Sequence, residues 1–327
     1  MVQGKKTARV TLSNQVFQGT VLGPPSWNIF FSDIIDSVLG GKAFADDLNA
    51  FPTFPKTTSR TVIMNQLRAC QKKAHEWGRH NRVEFDGDKE AFVILHPSLG
   101  EGDVFRLLGL MVDNQLRMQA AVDALLKKAR PKLQALMRKQ AFYDLDNMVL
   151  QYKTHVLGIV ESVTAGIYHA GSSILAPLDR VQTTFVHNFN LDVIDAFMNH
   201  NLAPLSLRRD IAMPGFLHKC ILPGAHPEME KLFLRQGNGN DGAPRRLWNI
   251  LTFSRRTFHP DLARRSLFGL TYVYNALPEH IVSLNTVQEF QHELTDLARR
   301  KIRHGHGDWE TFLSPRSFNG VRGLHLP

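Results

Sequence analysis

Cysteine is nearly missing from this chain: there are two in 327 residues, Cys70 and Cys220. A single pair cannot form a disulfide framework, and without a C-x-x-C there is nothing to seed a zinc knuckle. Both are expected as buried free thiols in a reducing compartment. Long apolar runs are missing too. The most apolar long stretch, Val156 to Tyr168, is interrupted by Glu161, whereas a membrane-spanning helix needs about 20 residues with few charges. The first residues, Met1-Val2-Gln3-Gly4-Lys5-Lys6, contain neither the apolar segment of a secretion signal nor a myristoylation pattern. Internal repeats and extended low-complexity tracts are lacking as well. These absences lead to the expectation of an intracellular protein, cytoplasmic or nuclear and not secreted, with no membrane partner.

The composition itself, 43% hydrophobic and 21% charged, is that of an ordinary globular chain with enough core for two or three domains. Its net charge of +9 favours polyanionic partners, because Lys and Arg that neutralise phosphates release condensed counterions. The charge is uneven. Residues 1–117 carry 14 Lys and Arg against 12 Asp and Glu, and the remainder 25 against 18. A nucleic-acid grip is therefore expected after residue 117.

Apolar periodicity predicts the elements. Ala8 to Leu12 and Val16-Phe17 read as short strands. Pro24 and Pro25 suit the first turn of a helix with an apolar face of Trp27, Ile29, Phe30, Ile34, Ile35 and Val38, ended by Gly40-Gly41. Ala43 to Phe51 reads as a hairpin with Asp46-Asp47 at its tip. Ile63, Leu67, Cys70, Ala74 and Trp77 recur at helical spacing, giving an amphipathic helix of about four turns. Asp86-Gly87-Asp88 predicts a turn, Ala91 to Leu95 a buried strand, and Phe105 to Val112 a strand pair around Gly109. From residue 119 the pattern is helical: Val122, Leu125, Leu126, Ala129, Leu133, Leu136 and Met137 share one face, with a kink expected at Pro131. Lys127, Lys128, Arg130, Lys132, Arg138 and Lys139 add positive charge to the same segment. Further helices are expected at 145–169, 174–190 and 204–222, and residues 236–244 read as a linker. The fold class is α+β at the start, with strands in an antiparallel sheet and helices on one side, and all-α afterwards.

The feature with chemical content is a pair of segments, Gln18-Gly19-Thr20-Val21-Leu22-Gly23-Pro24 and Phe44-Ala45-Asp46-Asp47, with 23 residues from Gly23 to Asp46. Adjacent carboxylates at a hairpin tip repel each other and suit a hard cation such as magnesium, which takes oxygen ligands. Phosphoryl transfer to a growing strand uses two such ions about 4 Å apart. As an isolated dipeptide, Asp-Asp reads first as a solvated turn.

Together, the Gln-Gly loop, a helix carrying Asn28, and Phe44-Ala45-Asp46-Asp47 resemble the third and fourth conserved blocks of non-LTR (LINE or jockey-like) retrotransposon reverse transcriptases. The resemblance implies that Asp46 is a Mg2+ ligand, with Asp47 its less strictly required neighbour. It implies that Gln18, Gly19 and Phe44 line the template and incoming-nucleotide pocket. Lys89 falls where the family has a Lys facing the triphosphate, able to protonate pyrophosphate as general acid. Leu107-Leu108-Gly109-Leu110 is similar to the family's Leu-Gly hairpin at the primer end, with Leu108 and Gly109 at its turn. Beyond this, Leu178-x-x-x-Gln182, Leu205-x-x-Arg208-Arg209 and Tyr274-Asn275-x-Leu277-Pro278 with Phe290 resemble later family segments in the family's order.

The implied organisation is a partial polymerase palm at 1–116, a helical thumb at 117–200 and a C-terminal helical region at 201–327. The implied partners are an RNA template, a DNA primer and dNTP. The family's first catalytic Asp has no place in the 17 residues before Gln18, and its fingers are not found, so the expectation is an N-terminally truncated reverse transcriptase, inactive alone. The alternative is a non-catalytic nucleic-acid-binding protein derived from that domain. Two tail features are weaker: His304-Gly-His306-Gly-Asp308 as a metal contact, and Arg299-Arg300-Lys301-x-Arg303 as a nuclear-import signal, each also readable as an ordinary charged surface.

Overall fold

Residues 20–96, 99, 100, 102, 104–235, 247–249 and 260–317 are described by the computed structural model. They form a mixed α+β chain that divides into two units at Ile94/Leu95. The predicted strands at 8–17 and the predicted linker at 236–244 lie outside the described residues.

In the first unit, α1 (Gly23–Phe31) has proline in its first turn, where the missing N–H has no intrahelical partner to lose. The single helix predicted through Val38 is interrupted at Ser32, whose hydroxyl bonds back to the Ile29 carbonyl at 2.8 Å, and continues as α2 (Asp33–Ser37). Gly40 then turns the chain at φ +68; a Cβ there would lie 2.7 Å from the Phe51 backbone. Strands β1 (Gly41–Phe44) and β2 (Asp47–Ala50) pair antiparallel. Helix α3 (Arg60–Asn81) starts at Ser59, whose hydroxyl accepts the Val62 N–H, and ends at Arg82 in the left-handed region. It is longer than the four turns predicted, but its inward face is the predicted one. Cys70 and Trp77 join Phe31, Ile34 and Val38 in a small core, against which Ala43, Leu48 and Ala74 pack. Trp77 meets Phe31 edge-on at 5.4 Å and donates its indole N–H to Asp33 at 2.9 Å.

Ala91 to Leu95 is not the buried strand predicted. It has no regular structure and no strand partner among the described residues, with Phe92 and Leu95 exposed. An apolar run becomes a strand only where a neighbour satisfies its backbone, and none of the described residues does so. Among the described residues the strands accordingly form three separate two-stranded ladders, not the single antiparallel sheet expected.

In the second unit, β3 (Val104–Leu107) and β4 (Leu110–Asp113) form a hairpin whose Phe105, Leu107 and Leu110 pack on a helical core. Thus the hairpin assigned from sequence to the first domain is built into the helical unit. Gly166 permits the contact: a Cβ there would sit 2.5 Å from the Leu110 side chain. Helix α4 (Gln119–Met137) buries the predicted face and runs without a break through Pro131, which is exposed, as is Lys127, whose carbonyl lacks its helical N–H partner and can be reached by water.

The helix predicted at 145–169 is a bent path of α5 (Leu145–Tyr152), a widened turn at Lys153–Leu157, α6 (Gly158–Glu161) and α7 (Thr164–Ile167). Hydroxyls compete with its backbone: Thr154 bonds the Leu150 carbonyl and Ser162 the Ile159 carbonyl, each at 2.8 Å. Helices α8 (Ser172–Asn188), α9 (Val193–Met198) and α10 (Leu205–Lys219) complete this core, where Tyr152 stacks on Phe185 at 4.4 Å. A second core joins α10 to α13 (Leu270–Asn275), α14 (Glu279–Val282) and α15 (Val287–Arg303), with α11 (Pro227–Glu230), the ladder of β5 (Phe233–Arg235) and β6 (Leu247–Asn249), and α12 (Pro260–Arg265) between them in sequence. Cys70 and Cys220 are buried free thiols, as expected. No helix among the described residues is long and apolar enough to cross a membrane.

Gln182 ties α8 to the start of α10, donating its amide to the Ala203 and Leu202 carbonyls at 2.8 and 3.3 Å, both residues being buried. Gln182→Met should leave two buried acceptors without a donor and cost about 1–3 kcal/mol. Urea unfolding checks this; an unchanged midpoint would contradict it.

Candidate functional site

The hairpin register decides where the carboxylates stand. Ala43 and Leu48 both pack on the small core and pair across the ladder, which fixes a two-residue turn at Ala45-Asp46. The tip is therefore one residue earlier than predicted: Asp46 is the second turn residue, and Asp47 opens β2 opposite Phe44. Ala45 holds φ at +53, a conformation that L residues rarely adopt. The indole N–H of Trp27 on α1 donates to the Ala45 carbonyl at 2.8 Å, and Trp27 stacks on Phe31 at 5.1 Å. Helix α1, which begins at Gly23-Pro24, thus anchors the turn that bears the carboxylates.

Asp46 and Asp47 are exposed, and neither carboxylate makes a hydrogen bond or ion pair with any described residue. Phe44 is exposed beside them. Lys89 lies in a short turn after Asp86, whose carboxylate is 2.9 Å from its ammonium. That bond raises the Lys89 pKa, and the charges of Asp46 and Asp47 raise it further, so the three residues expected to be catalytic come within electrostatic reach of one another. Asp86 is correspondingly held below the usual carboxylate range, chiefly by its bond to Lys89.

The supports of this turn were not read from the sequence. Glu90, next to Lys89, accepts from Gln71 and pairs with His75 at 2.7 Å, which fastens the 86–90 segment to α3. The available signal was the i, i+4 spacing of Gln71 and His75 on one helix face. Asp33 is engaged with Trp77.

Among the described residues no group of three or more His, Cys, Asp or Glu could hold a metal ion. The hairpin nevertheless offers two unpaired carboxylates. This donor set fits magnesium in kind, since that ion is commonly held by one or two carboxylates with water and substrate phosphates in the other positions.

The other expected residues fall elsewhere. Gln18 and Gly19 lie outside the described residues. Leu108 and Gly109 form the β3–β4 turn in the second unit, at φ +47 and +83. Lys127, Lys128, Arg130, Lys132, Arg138 and Lys139 are all exposed on and just after α4, and none is ion-paired with a described residue.

The later motif residues face inward instead. Arg208 forks onto Glu161 at 2.5 and 3.0 Å, Arg209 meets Asp179 at 2.7 Å, and Tyr274 bonds His218, which stacks on Phe290. The tail features are structural too. Lys301, fully buried, binds Asp308 at 2.9 and 3.0 Å and faces the Phe312 ring, while Arg299 and Arg300 pair with Asp296 and Glu293. Asp308 is therefore committed away from His304 and His306, and a receptor could not read Lys301 without unfolding the helix end.

The chain matches no protein-family model, no curated protein and no solved structure.

If Ala45 is the strained turn residue, Ala45→Gly should stabilise the first unit by about 1 kcal/mol, while Asp47→Gly in the strand should weaken it. Unfolding followed by Trp27 and Trp77 fluorescence tests this; the reverse order of effects would put the tip at Asp46-Asp47.

Proposed function

We propose that the first unit derives from the palm of a non-LTR retrotransposon reverse transcriptase and that the Asp46-Asp47 turn holds the magnesium of a nucleotide site. The reading rests on one juxtaposition: a free carboxylate pair on a tight hairpin, with the Lys89 ammonium close enough to feel both charges. The reaction of ancestry is attack of a primer 3′-hydroxyl on the α-phosphate of a dNTP, directed by an RNA template, with pyrophosphate leaving. Bound magnesium would supply charge neutralisation of the phosphates and a lowered pKa for the attacking hydroxyl. Asp46 and Asp47 would hold it through their carboxylate oxygens. Lys89, kept protonated by Asp86, would lie against the triphosphate and carries a proton that pyrophosphate can take. Phe44 offers an exposed ring beside the pair for contact with base or sugar. On this reading the thumb corresponds to α4 and the helices after it.

Binding of a fluorescent dNTP tests the site. It should require Mg2+ or Mn2+, weaken by at least about 10-fold in Asp46→Asn, and weaken in Lys89→Met; binding independent of metal and of both variants would refute the reading. The family's site shares a further carboxylate, so this chain alone is expected to extend no primer. Single-nucleotide incorporation on a primed RNA template, abolished by Asp46→Ala, would show instead that it is a complete polymerase.

A second reading, a non-catalytic nucleic-acid binder, is favoured by the six exposed cations of α4 and its C-terminal end. Its mark is a linear fall of log affinity with log[salt], at a slope of about −0.7 per single-strand phosphate contacted. Lys127→Gln with Lys128→Gln and Lys132→Gln should flatten that slope. An affinity indifferent to salt would remove this reading.

A further inference from the structure

Two aromatic side chains of the second unit stand in solvent where the basic helix α4 ends. Phe142 is 81% exposed and Tyr143 45%. Neither ring has an aromatic or cationic partner among the described residues, and the Tyr143 hydroxyl has no hydrogen bond there. Their backbone is nevertheless pinned. The last turn of α4 runs into one turn of tighter helix at Gln140–Phe142, where the Lys139 N–H donates to the Leu136 carbonyl and the Phe142 N–H to that of Lys139, each at 2.9 Å. Gln140 accepts from the Asn188 side-chain amide on α8 at 2.5 Å, and Asp144 caps α5 by accepting the Asn147 N–H at 2.8 Å.

The charge leading up to these rings is of one sign. Lys128, Lys132, Arg138 and Lys139 are exposed, and none is ion-paired with a described residue. At about 1.5 Å per residue they spread over about 16 Å of α4 and its end. The Arg138 Nε–H donates to the Gln134 carbonyl at 3.4 Å, and its terminal nitrogens have no partner among the described residues. Helix α4 carries one carboxylate, Asp123 near its start, which accepts the Gln119 amide at 3.0 Å. On the far side of the rings, Asp144 is committed to its cap and Asp146 lies 3.5 Å from His200. Apart from the two rings and Ala141, every exposed residue from 138 to 147 is polar or charged. Such surroundings suit a polar, anionic ligand with flat apolar faces better than an apolar protein surface.

We propose that Phe142 and Tyr143 form a stacking platform for unpaired bases, and that the ligand here is a single-stranded nucleic acid whose phosphates lie along the α4 cations. This rests on the nucleic-acid-binding reading of α4 and names the form of its ligand. An aromatic ring accepts the face of any base, so each stacked base adds affinity whatever the sequence. In a duplex those faces are covered by neighbouring bases, and reaching one requires unstacking. Cations alone would favour the duplex, whose charge is denser. The rings reverse that order. Neither contact reads the sugar, so DNA and RNA strands are the same ligand to this surface.

Fluorescence anisotropy of a labelled DNA strand of about 12 nucleotides, titrated with the full chain in EDTA so that no metal-dependent nucleotide site contributes, tests it. The single strand should bind more tightly than the same strand annealed to its complement. Phe142→Ala should weaken the single strand by about 10-fold and leave the slope of log affinity against log[salt] unchanged, because a ring releases no counterions. Phe142→Trp should restore the binding, and Tyr143→Ala should weaken it as Phe142→Ala does. Duplex affinity should respond to none of these. Both side chains are exposed, so the variants keep the fold, which unchanged circular dichroism verifies. No salt-dependent binding of any strand would overturn the proposal together with the reading it rests on. Salt-dependent binding that is equal for strand and duplex, or indifferent to Phe142→Ala, would overturn the proposal alone and leave that reading standing. Self-association of the chain that Phe142→Ala abolishes, with strand binding unchanged, would assign the rings to a protein interface and overturn it too.

Discussion

A single hydrogen bond, from the Trp27 indole to the Ala45 carbonyl, holds the turn on which the proposed chemistry of the first unit depends. Such a bond contributes about 1 kcal/mol net, roughly what a left-handed non-glycine residue costs, so it offsets the strain at Ala45. The indole is itself positioned by stacking on Phe31, which meets Trp77, whose own N–H is taken by Asp33. A short aromatic chain thus runs from α3 through α1 to the hairpin. The consequence is that two successive carboxylates stand exposed, without partners among the described residues.

The second unit is held by a different device. Its helices are joined by buried and half-buried polar ties: Arg208 to Glu161, Arg209 to Asp179, Tyr168 to Asp210 at 2.6 Å, His218 to Tyr274, Lys301 to Asp308. Desolvation makes the buried members, Arg209, Tyr168, Asp210, His218 and Lys301, expensive, and they are tolerable because each has its partner in place. Residues that carry the later part of the reverse transcriptase resemblance sit among these ties. In this chain they tie helices together, and the cations of α4 stand exposed.

Much of the fold was legible where periodicity was strong. The inward faces of α3 and α4 were read correctly because a 3.6-residue stripe has one natural way to meet a core. The hairpin was legible as well, but its tip was misplaced by one residue: the Asp-Asp pair attracted the assignment, while the Ala43–Leu48 pairing fixed the register. Ala91 to Leu95 misled because apolar content cannot announce whether a partner strand is at hand. The break at Ser32 and the widened turn at Lys153–Leu157 arise from hydroxyls bonding to nearby carbonyls, a competition that composition hides. A cavity of the second unit beside Arg265 was invisible in sequence, since its walls come from three segments separated by up to about 150 positions.

The central claim, that the residue 45–47 turn and Lys89 form one cation and phosphate site, is tested most directly by site-resolved paramagnetic broadening. Mn2+ added to isotope-labelled chain in the presence of dNTP should broaden the backbone amides of Phe44 to Asp47 first and those of Asp86 to Lys89 next. Broadening that begins elsewhere in the chain, or none at these amides, would contradict it.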